Sequence, residues 1–286
     1  MFIIKLTFIF LMTIILGFIS AGSAWAWGPA VHTVIACRLL EETSLILPAI
    51  AQILRAYPLE YLYGSLSADF FIGKGQKPKS GHSHNWEAGY IFLNEARDDR
   101  QAAYACGFLS HLAADVVAHN YFVPNLIRVA STWKRLGHIY WEAKADHFVG
   151  PAYTRMAREV LKTEQPDCDD LLRVAVQRHK TLKARRHVYK QSVKISDYLS
   201  QKQQFFQNPG RIRYQISHQY LGYMIGLSFR LVKHFMAHPY SSPCLSHDPI
   251  GSRNLRLAGQ KLILSKLLST PQSRHHFPVD EELLRL

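Results

Sequence analysis

Apolar positions along this chain recur mostly at the three- and four-residue intervals of a helix that buries one side. Residues 29–42, PAVHTVIACRLLEE, open with a proline, which suits a first helical turn. Amphipathic helices are predicted over 46–56 and 86–97. Residues 100–120, RQAAYACGFLSHLAADVVAHN, predict a mostly apolar helix, and 138–162 and 213–236 predict two more. Alternating, strand-like runs are scarce. Breaks rich in Asn, Pro and Gly fall at 73–81, 208–210 and 239–251. The expected fold is all-α: a helical bundle whose helices are largely buried against one another.

The first 26 residues break this pattern. Lys5 is their only charge, an apolar run covers 6–19, and Ala24 and Ala26 occupy the −3 and −1 positions of a peptidase cut. The run is shorter than the roughly 20 residues a membrane span needs. Residues 1–26 are therefore expected to be a signal peptide and the mature protein to be secreted or periplasmic, with Trp27 as its first residue. No Gly/Ser linker, low-complexity tract or repeat divides residues 27–286. A single domain is expected there. The four cysteines are too few for a disulfide scaffold. Export would permit a bond, and Cys168–Cys244 is the first pair to test, because both lie in loop-like sequence. Cys37 and Cys106 fall in apolar helical stretches, as buried thiols do.

Charge adds a hint about partners. The formal net charge is +13, and from Leu171 to His234 there are thirteen Lys/Arg against one acid, Asp197. Such a region suits a membrane surface, a nucleic acid or a phosphorylated substrate, or is simply a solvated basic helix face. No motif for an organic cofactor is present.

The chemistry lies in the spacing of the histidines, of which there are 15. His111, Asp115 and His119 stand at i, i+4 and i+8 of the 100–120 helix, so they project from nearly one face. Their neighbours are apolar, and a buried His–Asp–His face needs either a bound metal ion or a hydrogen-bonded ladder to offset its desolvation. His138 and Glu142 repeat the spacing on a second helix, and facing helices are how bundles build metal sites. Asp146, four residues on, reads as an orienting group or a surface charge. SADFF places Asp69 among apolar neighbours, and SGHSHNWE supplies His82 and His84. Zinc takes such N and O donors, and none of the cysteines has ligand spacing.

The order Trp27, His32, Asp69, His84, His111, Asp115, His119, His138, Glu142 resembles the zinc-dependent phospholipase C and S1/P1 nuclease superfamily. WGPAVH is similar to the start of the nuclease branch, and GFLSHLAAD and HIYWE to the phospholipase branch. The resemblance spans residues 27–147, and 150–286 reads as a helical extension of unknown role. It implies a metal cluster in a cleft between helices and two to three zinc ions per chain. One ion would take His84, His111 and Asp115, with Asp69 as ligand or catalytic base. A second would take the free amine and carbonyl of Trp27, His32 and a bridging Asp115. A third would take His119, His138 and Glu142, although the four-residue step from Asp115 to His119 is shorter than the family's usual connection. His84 is aligned in preference to His82 because SH directly precedes the next helix.

The implied activity is phosphodiester hydrolysis with Asp69 orienting or deprotonating the attacking water. A phospholipase C acting on membrane phospholipid is the first expectation. A single-strand nuclease is the alternative, with Trp86, Tyr121, Phe122, Trp133, Tyr140 and Trp141 available for base stacking. A non-catalytic zinc protein that binds lipid or a partner is the third.

Overall fold

The computed structural model describes residues 27–70, 84–129, 136–175, 182–201, 217–267 and 277–286. The described residues are helical and contain no strand. The helices are α1 (Pro29–Glu41), α2 (Pro48–Ala56), α3 (Pro58–Ser67), α4 (Trp86–Asn94), α5 (Asp99–Val117), α6 (Val123–Val129), α7 (Leu136–Val149) and α8 (Pro151–Lys162). They continue as α9 (Pro166–Ala175), α10 (Leu182–Gln201), α11 (His218–Ala237), α12 (Ser252–Leu267) and the short α13 (Glu281–Leu284). Each of α1, α2, α3 and α8 begins with proline in its first turn, where the missing N–H costs nothing.

Helix α5 is the axis of the bundle. From Ala103 to Val117 every residue is buried, which is why the sequence there is apolar on all sides. It packs against α3, α4 and α11. Contact with α3 is close: a β-carbon on Gly64 would strike the Tyr104 carbonyl, and one on Gly107 would strike the Tyr61 carbonyl and the Ser65 N–H. Two glycines facing opposite backbones thus let α3 and α5 approach nearer than side chains allow. Asp98 starts α5 by accepting from the Gln101 N–H at 2.8 Å, and Ser217 starts α11 by accepting from Tyr220 N–H at 3.1 Å.

Two expectations change. The helix predicted over 138–162 is two helices, broken where Gly150 takes φ +104° and Pro151 begins α8. Only glycine enters that region without strain. Cys168 and Cys244 are both buried free thiols and form no disulfide. Cys168 lies inside α9 and Cys244 inside the 3₁₀ turn Pro243–Ser246, so both are held by packing. The breaks expected at 73–81 and 208–210 lie outside the described residues.

Candidate metal centre

Four separate segments bring the site together. Asp69 sits in the 3₁₀ turn Ala68–Phe70 that ends α3, and the Gly64–Gly107 contact holds that end against α5. His84 immediately precedes Asn85, whose side chain caps α4 by accepting from the Ala88 N–H at 2.7 Å. His32 comes from α1. His111 and Asp115 come from α5, and His119 from the π-helical turn Ala118–Phe122 that extends it. That wider turn is held by Asn120, whose amide donates to the carbonyls of Val116 at 3.0 Å and Asp248 at 2.9 Å.

Asp115 is the hub. Its Oδ1 lies 3.4 Å from His32 Nε2. Its Oδ2 lies 3.2 Å from His111 Nε2, 3.5 Å from His84 Nε2 and 3.5 Å from His119 Nε2. Asp69 Oδ1 is 3.3 Å from His84 Nε2 and 3.8 Å from His111 Nε2. The His84 and His111 Nε2 atoms are 3.1 Å apart, and the rings of His32 and His111 stack at 3.9 Å. Two ligand groups result, His32–His111–Asp115 and Asp69–His84–His111, each with its donor atoms within 4.8 Å of one another.

These groups fit a bound cation. His111 donates through Nδ1 to the Ser65 carbonyl at 2.9 Å, a bond that fixes its ring. A neutral His111 then turns the lone pair of Nε2 toward another imidazole nitrogen and two carboxylates. Such a gathering of lone pairs is suited to a bound cation. His32 Nε2 and Asp115 Oδ1, which face one another, are buried and make no hydrogen bond among the described residues. Leaving such atoms unsatisfied costs about 1–3 kcal/mol each, and a dication with nitrogen and oxygen donors removes the cost. Protonation favours it too. Burial, helped by His111, pushes the His32 pKa below 6.5 and keeps the imidazole neutral. Burial alone would raise the Asp115 pKa, but the surrounding His111, His119 and His32 outweigh it and hold the carboxyl well below its ordinary range.

The remaining expected residues are placed as follows. Trp27 is buried at the head of α1. Its indole N–H donates to Ser228 Oγ at 3.0 Å and its ring tilts on Phe122 at 4.5 Å. Its side chain is thus committed to packing, and a ligand role falls to its backbone. His138 and Glu142 stand on α7, but their side chains lie outside the described residues, as does the whole of His82. Tyr121, Phe122 and Trp141 are buried and offer no face to a base. Trp86 donates to the His247 carbonyl at 2.9 Å. Trp133 and the Tyr140 side chain lie outside the described residues.

One contributor escaped sequence reasoning, and for another the structure removes one of two readings. Ser65 acts through its carbonyl, which no side-chain pattern marks. Asp146 is no surface charge. It is 1% exposed and accepts from the N–H groups of Ala30 and Val31, each at 3.1 Å. Burial pushes its carboxyl up to about 7, against the pull of those two donors.

Fold and site together define an all-α protein with a buried histidine–aspartate cluster that fits a metal ion. A family model described as zinc dependent phospholipase C matches residues 31–202. The chain belongs to the zinc-dependent phospholipase C family. The match covers every candidate ligand from His32 to Glu142 and runs past Gly150 to the end of α10, where the sequence offered no motif. No curated protein and no solved structure matches the chain.

Proposed function

We propose that the mature chain, exported and cut after Ala26, is a phospholipase C that hydrolyses membrane phospholipid to diacylglycerol and a phosphorylated headgroup. The observation that carries this reading is the convergence of His32, His84, His111 and His119 on Asp115, with Asp69 beside His84 and His111, inside a chain of the zinc-dependent phospholipase C family. His84 and His111, with Asp69 beside them, suit one zinc ion and His32 a second, with Asp115 bridging the two. Trp27 would add its backbone amine and carbonyl to the second, and His119, His138 and Glu142 would hold a third ion. Bound zinc supplies Lewis acidity, which acidifies water and neutralises charge on phosphoryl oxygens.

The chain's own part divides between two carboxylates. Asp115 has a side chain 3% exposed and is surrounded by imidazoles, so it holds the centre together. Asp69 has a side chain 22% exposed and touches two of them. It is the more accessible acid of the cluster and is suited to orient water and take its proton. Phe70, the neighbour of Asp69, packs on Tyr189 of α10 at 5.5 Å. That helix carries Lys183, Arg185, Lys190 and Lys194 against the single acid Asp197, and Arg186, which is paired with Asp169 and Glu164. The excess positive charge favours a phosphate-bearing substrate at this side of the centre.

The test is turnover by the mature, zinc-loaded protein on phosphatidylcholine vesicles, followed by release of diacylglycerol and phosphocholine, with single-stranded DNA as the comparison. Diacylglycerol release that a chelator abolishes and zinc restores is the expected result. Cleavage of DNA without cleavage of any phospholipid class would overturn the lipid substrate. Zinc binding without hydrolysis of either would overturn the enzyme.

A further inference from the structure

Helix α1 begins in a place where its own sequence cannot cap it. Gly28 has no side chain, and Pro29 has no N–H. The next two N–H groups, of Ala30 and Val31, point into the protein, where unpaired donors are costly. Both bond to one oxygen of Asp146, an acid more than a hundred residues away on α7. The other carboxylate oxygen has Ser196 Oγ of α10 at 3.5 Å. The carboxylate also lies directly over Gly28, where any β-carbon would collide with it. Helix α1 gains a buried acceptor for its first free N–H groups, and the chain between Trp27 and His32 gains a fixed path.

We propose that Asp146 is the positioning residue of the N-terminal half of the metal centre. It clamps residues 28–31 so that Trp27 and His32 stand where a shared ion with Asp115 requires them. The segment is held at three points. The Trp27 indole is bonded to Ser228 of α11, the Ala30 and Val31 amides are bonded to Asp146, and Thr33 Oγ1 donates to the Pro29 carbonyl at 2.7 Å. Val31 directly precedes His32, whose Nε2 is 3.4 Å from Asp115 Oδ1, so slack in the clamp is passed straight to that contact. The helix that carries the clamp, α7, also carries His138 and Glu142, so one helix serves both ends of the expected ligand set.

This role rests on the zinc reading above, and the experiment separates the two. Zinc affinity is measured by chelator competition on the mature protein, and amide hydrogen exchange is measured on the zinc-free protein. Asp146→Ala should weaken one class of bound zinc about 10–100-fold, the usual effect of losing a group that orients ligands. A second class, assigned to Asp69, His84 and His111, should keep its affinity. In the zinc-free protein, exchange should quicken across residues 28–34 while α5 is unchanged. Asp146→Asn keeps an accepting oxygen, and a neutral amide caps a helix nearly as well, so it should restore most of the affinity. Gly28→Ala attacks the clamp from the other side and should reproduce the zinc defect with Asp146 intact. Ser217→Ala, which removes the cap of α11, should leave both zinc classes unchanged. Wild-type affinity in Asp146→Ala, or equal weakening of both classes, overturns the clamp. A wild-type chain that binds no zinc overturns the enzyme reading, and this role with it.

Discussion

Replacing Asp69 and Asp115 separately by Asn separates a base from a structural ligand. Each change removes one negative charge and preserves the side-chain shape. The surroundings differ. Asp115 is within 3.5 Å of four imidazole nitrogens, those of His32, His84, His111 and His119. Asp69 is within 3.8 Å of two, and water reaches it more easily. Asp115→Asn leaves four buried imidazoles without their shared anion, so zinc content and turnover should fall together. Asp69→Asn should leave zinc near the wild-type level and lower kcat by about 10²–10⁴, the range for a lost general base. That is about 3–5 kcal/mol of transition-state stabilisation. KM should change little, because the lost interaction forms in the transition state. The assay is steady-state diacylglycerol release with zinc counted on the same preparation. Full kcat in Asp69→Asn would refute the base assignment, and zinc loss equal to that of Asp115→Asn would make Asp69 a ligand instead.

The mature chain should begin at Trp27, which intact mass decides. One retained residue should cost most of the activity, since an amide nitrogen is a poor ligand, and a mature start at Trp25 would remove the amine from the metal centre. Zinc should survive mild acid. His32 is held below 6.5, so it stays neutral and able to ligate at that pH. Zinc counted across a pH series should fall only under more acidic conditions. The metal-free fold gives the matching sign: the unfolded chain takes up a proton near 6.5 that folded His32 refuses, so the stability from His32 is full above 6.5 and is lost as pH falls toward its lower folded value. Gly107→Ala should destabilise by about 1–3 kcal/mol or more, because its β-carbon meets backbone that cannot step aside. A thermal melt checks it, and an unchanged midpoint would contradict the α3–α5 contact.

Periodicity was enough to reveal the helical class and the His111–Asp115–His119 face, because both depend on local geometry: four residues bring a helix back to the same side whatever surrounds it. The order of candidate ligands from His32 to Glu142 was legible for a similar reason, since side-chain chemistry is written in residue types. The Gly150–Pro151 break was also present in the sequence, but the apolar rhythm on either side hid it until φ at Gly150 was known. Other features depended on which surfaces meet. Asp69 joins His84 and His111 because two glycines let α3 and α5 touch, and that contact also delivers the Ser65 carbonyl to His111. Asp146 was legible only as an orienting group or a surface charge. The choice between them is made when Gly28 and Pro29, from the far end of the chain, arrive without a cap of their own. Sequence determined which groups were available for a metal. Tertiary packing decided which of them converge on Asp115, because burial and donor–acceptor pairing across long separations are set only when the helices dock.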